Sequence, residues 1–125
     1  MQLNMSDERP IFLQFAIELE DNILKGIFEE ETQIPSTTEV AIKFKINPAT
    51  ANRGVNLLVD EGIIYKKRGI GMFVNKGARE KIASKRRNIF YEGYILPLLK
   101  EAKNLKISKA EIIDLIDRGF QNEHD

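Results

Sequence analysis

The sequence predicts a mainly α-helical protein with a small β-hairpin, arranged as one domain with a shorter helical unit behind it. Three observations carry that reading. Apolar residues recur at helical spacing through most of the 125 residues. Helix start and stop signals cut them into short, separate segments. Only residues 63–74 switch to short apolar runs around paired glycines, the pattern of a hairpin. At 42% hydrophobic and 30% charged, the chain has enough apolar material for a core and is not disordered by composition.

Ile11, Phe12, Phe15, Ala16, Leu19, Ile23 and Leu24 line a first helix, and Gly26 stands where a C-terminal cap belongs. The acidic run Glu29-Glu30-Glu31 has no periodicity and reads as a solvated loop ending at Ile34-Pro35. Ser36-Thr37-Thr38-Glu39 then fits a capping box, in which Ser and Glu exchange bonds with orphan amides. A short helix is expected over 37–44, with Val40, Ala41 and Phe44 inward. Asn47 before Pro48 is a strong start signal, because the asparagine caps and proline has no N–H to lose at the first helical position. The resulting helix, over 48–61, turns Val55, Leu58 and Val59 inward and stops at Gly62. Two strands, Ile63-Ile64-Tyr65 and Met72-Phe73-Val74, flank Lys66-Lys67-Arg68-Gly69-Ile70-Gly71, which holds the glycines of a tight turn and three consecutive cations. Three helices followed by a basic hairpin describe a winged helix–turn–helix domain over 1–75.

Residues 76–125 read as a two-helix dimerisation unit. Helical periodicity returns from about 78 to 105, where Pro97 is expected to kink the helix or begin a new segment. A last helix starts at Ser108, with Glu111 completing a second capping box, and lines up Ile112, Ile113, Ile116 and Phe120; residues after Gln121 are expected to fray. The block Ile89-Phe90-Tyr91, Tyr94-Ile95-Leu96 and Leu98-Leu99 is apolar almost all round. Such a helix needs cover on more than one side, so a second copy of the chain is expected on it, with Phe90, Tyr94 and Leu98 in the interface.

The formal net charge is zero, yet the charges are segregated. Residues 1–34 hold two basic against eight acidic residues, residues 35–87 twelve against four, and residues 88–125 five against seven. A basic middle segment in a neutral chain points to a polyanionic partner. Without cysteine there is no disulfide, thiolate metal site or cysteine nucleophile, and the lone histidine, His124, is next to last. No nucleophile–base pair or metal centre can be assembled, so neither an enzyme nor a cofactor is expected. Gly69-Ile70-Gly71 is a turn rather than a nucleotide loop, since no Gly-Lys-Ser/Thr follows. No run of about 18 apolar residues and no basic-then-apolar leader is present, which predicts a soluble, cytoplasmic protein away from membranes.

Pro10-Ile11-Phe12-Leu13-Gln14, Ile34-Pro35-Ser36-Thr37, Ile46-Asn47-Pro48-Ala49-Thr50, Val59-Asp60-Glu61-Gly62-Ile63-Ile64 and Arg68-Gly69-Ile70-Gly71-Met72-Phe73-Val74 occur in that order. Together they closely resemble the DNA-binding domain of GntR-family bacterial transcription regulators. The Asn-Pro-x-Thr opening and the tail Pro97-Leu98-Leu99-Lys100-Glu101-Ala102 look like the short YtrA-like branch, whose members carry two C-terminal helices for dimerisation. The resemblance implies that the helix from Pro48 enters the major groove, that Ser36 and Thr37 hold phosphate, and that the wing lies beside the duplex. A helix N-terminus with the hydroxyls of Ser36, Thr37 and Thr38 suits phosphate. Asn52 suits adenine, Arg53 guanine, and Thr50 or Ala49 a thymine methyl. Asn47 and Ser36 are caps first and DNA contacts second. Thr38, Pro48 and Asn52 replace arginines usual in longer members, so their arginine-based operator code does not transfer. Ile70 and Met72 replace a basic residue and a threonine, leaving Lys66, Lys67 and Arg68, around the turn glycines Gly69 and Gly71, as the wing's anchors.

The function implied is a homodimeric, sequence-specific DNA-binding transcription regulator, a repressor rather than an activator, on a double-stranded, pseudo-palindromic operator. The rival is a winged-helix module for protein–protein contact, since fold alone does not decide function. A protein-binding winged helix has no need of a cationic wing and a polar recognition-helix start, whereas a DNA reader needs both. About 50 residues after the wing leave little material to enclose a ligand, so any small-molecule effector is expected at the subunit interface.

Overall fold

In the computed structural model, which describes residues 8–123, the chain runs α1 (Ile11–Leu24), β1 (Gln33–Ile34), α2 (Thr37–Phe44), α3 (Pro48–Asp60), β2 (Ile64–Lys67), β3 (Gly71–Val74), α4 (Ala78–Phe90), a π-helical turn (Tyr91–Ile95), α5 (Leu96–Asn104) and α6 (Lys109–Glu123). His124 and the N-terminal seven residues, part of the segment read above for a leader, lie outside the described residues. The chain divides into two compact units between Ser84 and Lys85.

The first unit is built around the apolar stripe of α1. Phe15, Ala16, Leu19 and Ile23 are buried, while Ile11, Phe12 and Leu24 are half-buried at its margin. α3 lays Ala51, Val55 and Leu58 against that stripe, and α2 adds Val40 and Ala41. Phe44, at the end of α2, meets Phe15 edge-on with ring centroids 5.3 Å apart. Val59, expected inward, is only half-buried. Both expected caps form. Ser36 Oγ accepts the Glu39 N–H at 3.1 Å while Glu39 Oε1 accepts the Ser36 N–H at 3.2 Å, and Asn47 Oδ1 accepts the Ala49 N–H at 2.7 Å.

The sheet has three strands in the order β1-β3-β2, all antiparallel, so the expected hairpin gains a third member. Gln33 pairs with Phe73 and Ile34 with Met72. The hairpin itself is shifted from expectation: Lys66 and Lys67 belong to β2, paired with Met72 and Gly71, and the turn is reduced to Arg68, Gly69 and Ile70. Its closing bond runs from the Ile70 N–H to the Lys67 carbonyl at 3.0 Å. Gly69 takes φ +75°, a backbone region that favours glycine.

The first unit continues past Asn75, where the winged domain was expected to end, because Ala78 and Ile82 of α4 are fully buried in its core. The acidic loop also departs from its reading as merely solvated. Glu30 Oε1 and Oε2 accept the N–H groups of Gly77 and Arg79 at 2.9 and 3.0 Å, satisfying orphan amides at the start of α4. Those bonds, Gly77's foremost, hold the Glu30 carboxyl below the usual carboxylate range.

In the second unit the helix changes register before Pro97. Proline has no N–H and its ring crowds the carbonyl four residues back. The chain answers with a π turn, in which the Leu96 N–H reaches the Tyr91 carbonyl five residues earlier, and α5 restarts at Leu96. The second capping box forms as expected, with Ser108 Oγ accepting the Glu111 N–H at 3.2 Å and Glu111 Oε1 accepting the Ser108 N–H at 3.1 Å. α6 stays helical through Glu123, beyond the point where fraying was expected.

Candidate nucleic-acid interface

Three elements of the first unit carry the polar and cationic side chains singled out by the sequence, and direct bonds tie these elements together. Lys66 Nζ on β2 donates to Asn56 Oδ1 on α3 at 3.1 Å, joining wing to helix. Thr37 Oγ1 on α2 donates to Met72 Sδ on β3 at 3.5 Å, joining the other helix to the wing. The start of α2, the outer face of α3 and the wing are therefore one connected surface.

At the start of α2, Ser36 and Thr38 are exposed and Thr37 is half-buried. Thr37 spends its hydroxyl on Met72, so what it offers an anion is its backbone N–H. The N–H groups of Thr37 and Thr38, at the first two helical positions, have no intrahelical acceptor, and the helix dipole adds positive potential there. Ser36 Oγ accepts within the capping box and keeps its own O–H to donate.

Along α3, Asn47, Ala49, Asn52, Arg53, Asn56 and Asp60 are exposed and Thr50 is half-buried. They lie opposite Ala51, Val55 and Leu58, as 3.6-residue periodicity requires. Asn47 Oδ1 is committed to the cap, leaving its NH2 end to donate. The Arg53 guanidinium carbon lies 3.9 Å from the centroid of the Phe12 ring. Phe12, Ala49, Asn52, Arg53 and Asn56 border an open groove of about 500 Å³.

In the wing, Lys66, Lys67, Arg68 and Gly69 are exposed. Lys66 faces α3, whereas Lys67 points to the other side of the sheet, as alternation along a strand demands. There Tyr65 and Phe73 stack at 5.5 Å, and Lys67 Nζ lies 4.8 Å from the Phe73 centroid and 5.9 Å from that of Tyr65. Gly71 is half-buried, and a side chain there would run into the amide of Gln33, whose Nε2 donates to the Ile70 carbonyl at 3.0 Å. Gly71 thus shapes the wing from within. Of the basic middle segment, Lys85, Arg86 and Arg87 lie beyond the division of the chain, leaving nine basic against four acidic residues over 35–84.

Sequence reasoning missed Asn56, Phe12 and Gln33. Asn56 was legible, standing four residues after Asn52 on the same helix face. Phe12 was assigned to the first helix's apolar stripe, and nothing in its neighbours signals an arginine above it. Gln33 acts across 37 residues of chain.

Fold and site together define a winged helix–turn–helix protein. Comparison with known proteins narrows this. The model of bacterial regulatory proteins of the gntR family matches residues 13–74. The crystal structure of a GntR-family transcriptional regulator from Bacteroides thetaiotaomicron is 36% identical, with a TM-score of 0.80 over 91% of this chain and 99% of that one. The HTH-type transcriptional repressor YtrA of Bacillus subtilis is 30% identical over 79 residues, which are 63% of this chain and 61% of that protein. AraR(DBD), solved in complex with operator ORE1, is 26% identical with a TM-score of 0.53, over 58% of this chain and 88% of that one. Against two further curated relatives the chain spans only about a third of their length, 33% and 34%. The chain belongs to the GntR family, and its similarity to YtrA agrees with the expected branch.

Proposed function

We propose that the chain is a homodimeric, sequence-specific DNA-binding transcription regulator of the cytoplasm, a repressor without enzymatic activity, acting on a pseudo-palindromic operator. The observation that carries the proposal is the connected surface on which helix-terminal amides, the polar face of α3 and the cationic wing converge. The family membership and the operator complex of AraR(DBD) support it. The α2 amides with Ser36 and Thr38 clamp a phosphate, α3 enters the major groove, and Lys66, Lys67 and Arg68 follow the backbone beside it. Asn52, Arg53, Thr50 and Ala49 are the base-reading set, with Asn56 beside them. Among the described residues, no helix is long and apolar enough to cross a membrane.

The dimer is supported by the second unit. Phe90 and Tyr94 pair at 5.8 Å yet are 57% and 67% exposed, and Leu98 is 40% exposed. Ile113, Leu115, Ile116 and Phe120 are exposed on α6 as well. Leaving these side chains in water would make a larger apolar patch than soluble monomers carry, and a second copy covers it. A groove of about 350 Å³ between α5 and α6, lined by Leu98, Ala102, Leu105, Ile112 and Ile116, lies in the same unit. Any small-molecule effector acts there, at the subunit interface, by favouring one dimer geometry over another.

Selection of bound fragments from random duplex DNA tests the reading. The expected product is a motif of two inverted half-sites about one helical turn, or a multiple of it, apart. Recovery of no motif overturns sequence-specific binding, and recovery of a lone half-site overturns the dimeric operator.

A further inference from the structure

Arg53 has a neighbour from another helix. Its guanidinium carbon stands 3.9 Å from the ring centroid of Phe12, which occupies the first turn of α1. An exposed arginine has many rotamers to lose when it binds. A guanidinium stacked on an aromatic face is held by the ring's quadrupole, and its N–H donors, all in its own plane, stay available at the edge.

The adjacent residue explains why the ring is there. Gly54 is buried, and a Cβ at this position would lie 2.6 Å from Phe15 Cδ2 and 2.8 Å from the Phe12 carbonyl oxygen. α1 and α3 therefore meet at a distance open only to glycine, and the backbone of Phe12 is pinned against α3 one residue from Arg53. Ring and guanidinium then border the same groove as Ala49, Asn52 and Asn56.

We infer that Phe12 is a positioning residue for DNA reading: it holds the Arg53 guanidinium at the α1 edge of the reading face of α3, so operator preference at one base step depends on an aromatic ring at position 12. The inference rests on the proposed base-reading role of α3. Phe12 itself has no hydrogen-bonding group in its side chain, so its effect passes through Arg53.

The test measures affinity of the full chain for its selected operator and for random duplex, in wild type, Phe12→Leu, Phe12→Tyr, Arg53→Ala and the F12L/R53A double substitution. Arg53→Ala is expected to lower operator affinity by about 5- to 150-fold and random-duplex affinity far less. Phe12→Leu is expected to lower operator affinity by about 3- to 10-fold at that same base step. Phe12→Tyr, which keeps the ring, restores it, and Phe12→Leu adds nothing once Arg53 is gone. Unfolding temperatures are recorded alongside. If Phe12→Leu melts early, Tyr and Leu variants are compared at a temperature where both are folded. Operator binding by Phe12→Leu equal to wild type, or the same loss with and without Arg53, overturns the inference while base reading by Arg53 stands. No operator at all, or equal losses for Arg53→Ala on operator and random DNA, overturns the reading beneath it, and the inference falls too.

Discussion

Gly54→Ala sets two well-defined effects against each other. In a helix interior alanine is favoured over glycine by about 1 kcal/mol, so propensity alone makes the substitution stabilising. The contact argues the opposite. The new methyl would stand 2.8 Å from the backbone oxygen of Phe12 and 2.6 Å from the ring of Phe15. Phe15 is fully buried, and a backbone carbonyl cannot change rotamer. α1 and α3 must part by several tenths of an ångström, which loosens the packing of Phe15, Ala51, Val55 and Leu58 in one movement. Overpacking of this kind costs about 1–3 kcal/mol, and for a unit of this size each kcal/mol is about 4–8 °C in unfolding temperature. Less the roughly 1 kcal/mol gained in propensity, the net loss is up to about 2 kcal/mol, so the expected outcome is a fall of up to about 16 °C, read by far-ultraviolet circular dichroism during heating, with a lower urea midpoint at unchanged slope. A variant that melts above the wild-type temperature would refute the reasoning, because the spacing of α1 and α3 would then not be set by residue 54.

Glu30 gives a pH dependence. Its carboxyl is held low by the amides of Gly77 and Arg79, so its stabilising effect is present above the ordinary value of 4.5 and is lost as pH falls below it through the lowered value. Glu30→Ala should melt earlier than wild type at neutral pH and converge with it in acid; parallel curves would remove the cap. Lys67→Ala should weaken binding to all duplexes alike and flatten the slope of log affinity against log salt by about 1, and a loss confined to the operator would make Lys67 a base reader instead. If Leu98 lies in the proposed subunit interface, Leu98→Asp places an unpaired charge there, so sedimentation is expected to show monomers and operator affinity to drop with them. A monomer that still binds its operator with full affinity would separate dimerisation from DNA reading.

What the amino-acid sequence determined by itself is local. The boxes Ser36/Glu39 and Ser108/Glu111 and the Asn47–Ala49 cap form because each bond joins residues two or three positions apart, close enough that side-chain chemistry alone selects it. Helix periodicity likewise placed Asn52 and Arg53 opposite Val55 and Leu58, so the polar face of α3 was legible before any tertiary contact was known. The tertiary structure alone decided four other things. β1 is two residues long and has no strand character of its own; it exists because the free edge of β3 accepts it. Glu30 accepts from the Gly77 amide 47 residues later, at the start of α4, and Thr37 reaches Met72 35 residues away. The Arg53–Phe12 pair depends on how near two helices approach at Gly54. Each of these is a contact between chain segments that only the packed core brings together, and no spacing along the chain encodes it.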